Sequence, residues 1–243
     1  MSGHSKWATT KRQKEVVDAK RGAVFTKMSN LISIAARDNG GDPDTNFALR
    51  MAMDKARQAN MPKDNIERAI KRAIGDGSGQ QIEELTYEGQ GPAGSQFIIK
   101  CVTDNRNRTA SAIRHMFSKA GGCLSDVMWN FVMRGVVQIT TEVLATKMKD
   151  WDNFELELID NGAEDIITED EGITIYTNPE DFQKLKIFLD QQALITELAE
   201  IQYVAKEKLV INDGDSKLKL EKFIEELEEC EDISNHYTNA EWD

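Results

Sequence analysis

Residues 96–131 read QFIIKCVTDNRNRTASAIRHMFSKAGGCLSDVMWNF, and the change of period along them decides the fold. The first eight, QFIIKCVT, are rich in apolar and β-branched residues and predict a strand. From Arg106 to Ala120 the apolar Ile113, Phe117 and Ala120 fall at helical spacing. Asp104 or Asn105 stands where that helix needs a cap, and Gly121-Gly122 ends it. Val127, Trp129 and Phe131 then alternate, which predicts a second strand and completes a β-α-β unit.

Working towards the C-terminus, the pattern predicts a strand at 136–140, a helix at about 150–161, strands at 163–168 and 173–177, a helix at 179–190 and a strand at about 195–203. That order is a ferredoxin-like split unit. A strand near 209–211, a helix at 215–229 and a strand at 232–238 follow, and they complete the unit begun at residue 96, with the 135–203 module inserted in it. Working towards the N-terminus, three amphipathic helices are expected. One carries Val24, Met28, Leu31, Ile32 and Ala35 and stops at Asn39-Gly40-Gly41-Asp42-Pro43; one carries Phe47, Met51, Ala52, Ala56 and Ala59; one is opened by Pro62 and buries Ile66, Ala69, Ile70, Ala73 and Ile74. Glycine-rich residues 75–81 read as a linker. The fold class is therefore α+β: an N-terminal three-helix domain followed by two ferredoxin-like α+β domains, one inserted in the other. The expected domains are 1–80 (basic, helical), 81–134 plus 204–243 (α+β) and 135–203 (inserted, acidic).

Charge divides along the same line. Residues 1–75 hold 15 Lys+Arg against 8 Asp+Glu, while the whole chain carries −12. A cationic end on an anionic body touches a polyanion in one orientation, because the body repels what the end attracts. Lys6, Lys11, Arg12, Lys14, Lys20, Arg21 and Lys27 cluster early, with Trp7 and Phe25 among them, so phosphate-holding side chains stand beside rings able to stack on bases. The alternative is a solvated, partly helical tail whose aromatics pack on the domain. Arg68, Lys71 and Arg72 oppose the apolar stripe of the third helix, as on a phosphate-binding face or any surface helix. A second cationic island spans residues 95–134, net +4, and places Arg106 and Arg108 in the first turn of a helix, with Arg114 further along. Arginine is unfavourable at the positive end of a helix dipole, so either an incoming phosphate or neighbouring carboxylates must compensate. Residues 142–181, net −11, cannot lie against a phosphate backbone and suit solvent or a basic protein.

Enzyme chemistry is not indicated. Gly89-Gln90-Gly91-Pro92-Ala93-Gly94 matches G-x-G-x-x-G, but a dinucleotide loop follows a strand and opens a helix, whereas these glycines precede a strand and Pro92 removes an amide. A plain turn is expected, and no cofactor. His4, His115 and His236 lie far apart with no metal-like spacing, so no metal is expected. Glu83-Glu84 and Glu169-Asp170-Glu171 read as solvated, turn-like acidic runs rather than catalytic pairs. Three dispersed cysteines and a polar, basic start point to a reducing, cytoplasmic setting, and no apolar run reaches the length of a membrane span.

Several segments also carry a resemblance. Met1-Ser2-Gly3-His4-Ser5-Lys6-Trp7, Asp18-Ala19-Lys20-Arg21-Gly22 with Phe25-Thr26-Lys27, Gly40-Gly41-Asp42-Pro43, Tyr87-Glu88-Gly89, Thr103-Asp104-Asn105-Arg106-Asn107-Arg108-Thr109 and Tyr176-Thr177-Asn178-Pro179-Glu180-Asp181-Phe182 occur in the order found in the YebC/PmpR family, which the chain resembles nearly end to end. The resemblance implies a three-domain cytoplasmic protein of the transcriptional-regulator type, with mitochondrial relatives that activate translation and bacterial relatives linked to ribosomes. It transfers no catalytic residues. Two readings stay open: a DNA-binding regulator using the basic head, and a translation factor whose head meets ribosomal RNA while the acidic module meets basic ribosomal proteins.

Overall fold

The computed structural model describes residues 21–75, 82–147 and 150–242. Its chain divides into two compact units, one built on Phe131–Lys206 and the other on the residues before and after it.

The larger unit begins with helices α1 (Arg21–Asn39), α2 (Phe47–Gln58) and α3 (Lys63–Ile74). Asn46 explains how the first two meet. Its side chain caps α2 by accepting from Leu49 N at 3.0 Å, while its Nδ2 donates to the carbonyls of Ala35 and Gly40, each at 2.7 Å. One buried amide thus closes the start of one helix and the end of another, removing orphan groups at both. Val24, Met28, Ile32, Ala36, Leu49, Ile66 and Ala69 form the core between the helices.

The same unit continues with strand β1 (Glu83–Gln90), strand β2 (Gln96–Thr103), helix α4 (Arg106–Lys119) and the two-residue strand β3 (Cys123–Leu124). After the other unit it resumes with β8 (Leu209–Val210), α8 (Gly214–Glu229), β9 (Ile233–Thr238) and β10 (Ala240–Glu241). Its sheet runs β3-β1-β2-β9, all neighbours antiparallel. Numbered by role, with β2 first, β3 second, β1 third and β9 fourth, that is the ferredoxin-like spatial order 2-3-1-4, with the third strand moved to the front of the chain. Phe97, Phe117 and Phe223, from β2, α4 and α8, meet edge to face with centroids 5.0–6.3 Å apart, so one aromatic cluster holds both helices on the sheet.

The second unit consists of β4 (Phe131–Thr140), α5 (Thr141–Lys147), α6 (Trp151–Asp160), β5 (Ala163–Glu169), β6 (Gly172–Thr177), α7 (Phe182–Gln191) and β7 (Leu198–Ala205). The sheet order β5-β6-β4-β7 is again 2-3-1-4, here without permutation. Val137 pairs with Ile175 and Ile139 with Ile173 in its centre. Gly135 is required there because a Cβ would stand 2.7 Å from the ring of Phe182, which opens α7.

Several sequence expectations change, and Ile74, expected on the buried stripe of α3, is 57% exposed. Val127–Phe131 is not the second strand of the β-α-β unit: Met128–Asn130 is a short 3-10 turn, Phe131 starts β4, and the strand after α4 is Cys123–Leu124. Glu88 explains the turn, since its carboxylate accepts from the amides of Val127 and Met128 at 2.9 and 2.7 Å and holds that backbone away from a ladder. Glu83-Glu84 is not a turn but the start of β1, where Glu84 pairs with Lys100 across the strands. The 136–140 strand starts earlier, at Phe131, because Gly135 continues a ladder rather than breaking it. Finally, α5 was not anticipated. Of the linker assigned to 75–81, residues 76–81 lie outside the described residues.

Candidate nucleic-acid interface

Of the ten cations singled out from the sequence, Lys6, Lys11, Arg12, Lys14 and Lys20 lie outside the described residues, and Arg21 is described only as the first residue of α1. The remaining four are sorted sharply by their surroundings.

Lys27 is turned inward. Its ammonium donates to the carbonyl of Glu228, near the end of α8, at 2.8 Å. Burial pushes its pKa down, with the charges around Cys230 and Glu228 acting in the opposite sense. Arg108 is also occupied. Its Nη2 reaches Asp104 at 3.0 Å and Asp232 at 3.1 Å, and the hydrogen bond to Asp232 raises its pKa. Here the carboxylates, rather than a phosphate, offset a cation in the first turn of α4, while Asn105 caps the helix by accepting from Arg108 N at 3.1 Å.

Arg106 and Arg114, on the same helix, are exposed and make no hydrogen bond or ion pair among the described residues. The same holds for Arg68, Lys71 and Arg72, which sit one helical turn apart on α3 with Ile66 and Ala69 buried on its other side. Lysine elsewhere in the unit is more often paired, as Lys119 is with Glu226 at 3.0 Å. Cations left without a counter-charge cost little in water and are available to a polyanion, which makes these five part of the free cationic surface of the larger unit among the described residues.

The Gly89–Gly94 motif joins antiparallel β1 and β2 through a 3-10 turn and opens no α-helix. Gly91 N donates to Ser95 O at 2.7 Å across its mouth. Among the described residues no group of three or more His, Cys, Asp or Glu is placed to hold a metal ion, and no helix is long and apolar enough to cross a membrane.

Sequence reasoning passed over Tyr87. It stands on β1 opposite Ile99, half-buried against the aromatic core beneath α4. Desolvation raises the pKa of its hydroxyl, while Arg106 and Arg114 both pull it the other way. The alternation Leu85-Tyr87-Gly89 was the available signal.

A helical head followed by two nested α+β units defines the class of this chain. It belongs to the TACO1/YebC family: the family's N-terminal domain matches residues 5–76, and its second and third domains match residues 82–240. A "probable transcriptional regulatory protein" of Halothermothrix orenii is 43% identical over 98% of this chain and 94% of its own length. One of the same name in Bacillus licheniformis is 43% identical over 99% of this chain and its full length. A crystal structure of a conserved hypothetical protein from Aquifex aeolicus superposes with a TM-score of 0.81 at 36% identity, covering 93% of each chain.

Proposed function

We propose that the protein is a non-enzymatic, nucleic-acid-binding regulator of gene expression, acting in the cytoplasm as a DNA-binding transcriptional regulator that holds phosphate through its basic N-terminal head. The observation that carries this reading is the row of exposed cations Arg68, Lys71 and Arg72 on α3, without an ion-pair partner among the described residues, within a stretch of net +7 on a chain of net −12. The names borne by the relatives support it. Lys6, Lys11, Arg12, Lys14, Lys20 and Arg21 extend the same cationic segment, and Arg106 and Arg114 add a second contact. Lys27 and Arg108, each tied to its own fold, serve to position these elements.

A second reading rests on a different observation. Asp152, Asp160, Glu164, Asp165, Asp170, Glu171 and Glu180 are exposed on the Phe131–Lys206 unit, a surface that a phosphate backbone would avoid and a basic ribosomal protein would match. On that reading the head meets ribosomal RNA and the protein acts in translation.

Competition among duplex DNA, structured RNA and intact ribosomes at fixed salt separates the two. The transcriptional reading expects duplex DNA to be retained against ribosomes. In parallel, reversing Arg68, Lys71 and Arg72 to glutamate should flatten the log-log salt dependence by about two to three, at about 0.9 per lost phosphate contact. An unchanged slope refutes the head as the phosphate-binding element.

A further inference from the structure

We propose that Tyr87, Arg106 and Arg114 form a seat for one unpaired nucleotide, the base lying on the tyrosine ring and the flanking phosphates on the two arginines. The inference rests on the nucleic-acid reading above and specifies which form of nucleic acid the α+β part takes: a single strand.

Four observations carry it. First, β3 covers β1 only at Gly89 and Gln90, where the pairs are Gly89 with Leu124 and Gln90 with Cys123. The chain after β3 continues past Glu88, Ser125 N donating to Glu88 O at 3.2 Å, and at Tyr87 the outer edge of β1 has no neighbouring strand among the described residues. Second, Tyr87 is anchored yet accessible: its cross-strand partner Ile99 is fully buried in the core, while Tyr87 itself remains only half-buried. A ring packed on the core yet partly open to solvent can offer a stacking surface at small entropic cost.

Third, β1 runs close under α4. A Cβ on Gly89 would stand 2.6 Å from the ring of Phe117 and 2.7 Å from the carbonyl of Cys123, so only glycine permits the approach. Tyr87, two residues before Gly89 on β1, packs on the same core cluster as Ile113 and Phe117 of that helix. Fourth, the arginines on this helix differ in state. Arg108 is held by Asp104 and Asp232, whereas Arg106 and Arg114 have no hydrogen-bond or ion-pair partner among the described residues and lie eight residues apart, about 12 Å along the axis at 1.5 Å per residue. Two long side chains starting that far apart can converge on the phosphates that flank one nucleotide. A paired base keeps both faces stacked in its duplex and cannot enter such a seat, so the ligand is single-stranded RNA or DNA.

The test is a fluorescence-anisotropy titration of the full-length protein with labelled oligouridine, oligothymidine and a duplex of equal length. Tyr87→Leu should weaken binding to both single strands about tenfold, within the range expected for one lost base-aromatic stack. Tyr87→Trp should recover most of that loss, and Arg106→Ala and Arg114→Ala should each lower the single-strand salt slope by about 0.7. Oligouridine and oligothymidine bound alike assign the seat to either backbone, and a preference for one narrows it to RNA or DNA; both support the proposal. Single-strand affinity unchanged in Tyr87→Leu, with duplex binding intact, overturns the seat and leaves the proposed function standing. Absence of binding to every oligonucleotide overturns both.

Discussion

Lys27 and Glu228, 201 residues apart in the chain, are joined by a 2.8 Å hydrogen bond from the lysine ammonium to the glutamate carbonyl. The last carbonyls of a helix have no partner inside it, and here a cation from α1 supplies one while facing the negative end of the α8 dipole. A residue that composition counts among the phosphate ligands is thus a clasp between the helical head and the α+β part of the same unit. Lys27→Met should lower the unfolding free energy in urea by about 1 kcal/mol, the net worth of one part-buried hydrogen bond. It should leave the salt dependence of nucleic-acid binding unaltered.

Asp232 ties the start of β9 to the first turn of α4. It accepts from Arg108 Nη2 at 3.1 Å and from the buried Thr109 hydroxyl at 2.7 Å. Asp232→Ala should destabilise the protein by about 1–3 kcal/mol, because both donors lose a charged acceptor. Arg108→Ala, at an exposed guanidinium, should cost less. Thermal melts of the two variants rank them.

The three thiols differ in environment. Cys123 is exposed, Cys230 half-buried and Cys101 fully buried on β2. Burial pushes Cys101 up to about 12, and it raises Cys230 as well. Since the thiolate is the reactive form, a disulfide reagent at neutral pH should titrate Cys123 rapidly, and Cys123→Ser should abolish the fast phase. The same shift has a sign for stability. A group whose folded pKa lies above its unfolded value stabilises the fold below the unfolded pKa and loses that contribution as pH rises. Between about pH 9 and 12 the wild type should therefore lose stability relative to Cys101→Ala, by up to about 1.4 kcal/mol per pH unit.

The aromatic cluster makes a further prediction. Phe223 sits 5.1 Å from Phe97 and 5.0 Å from Phe117, and it is 2% exposed. Phe223→Ala should cost about 3–5 kcal/mol in chemical denaturation and loosen α8 and α4 together, which hydrogen exchange would register as shared loss of protection.

Much of the architecture could be read from residue order alone, because it is written in local periods. QFIIKCVT became β2 over the same eight residues, and the helix expected from Arg106 ends at Lys119, one residue short. The failures have a common cause. Glu83-Glu84 and Val127–Phe131 are decided by partners distant in the chain: Lys100 across the ladder for the first, the Glu88 carboxylate under the second. The candidate interface was less legible still. Charge counts treat Lys27, Arg106, Arg108 and Arg114 alike, whereas the fold commits Lys27 to a carbonyl and Arg108 to two carboxylates and leaves the others free. Only the three-dimensional neighbours make that distinction.

Asn130 and Glu207 stand where the larger unit is interrupted, and they are joined twice: Asn130 Nδ2 donates to Glu207 O at 3.0 Å, and Glu207 N donates to Asn130 Oδ1 at 2.8 Å. Departure and return of the chain therefore share one doorway, closed by a single amide that mimics a rung of a ladder. The residues between them, Phe131–Lys206, form a compact unit of their own. Splicing Asn130 to Glu207 through a few glycines should give a shortened protein that still melts cooperatively, since the chain would leave and re-enter the larger unit at one point without rethreading the rest.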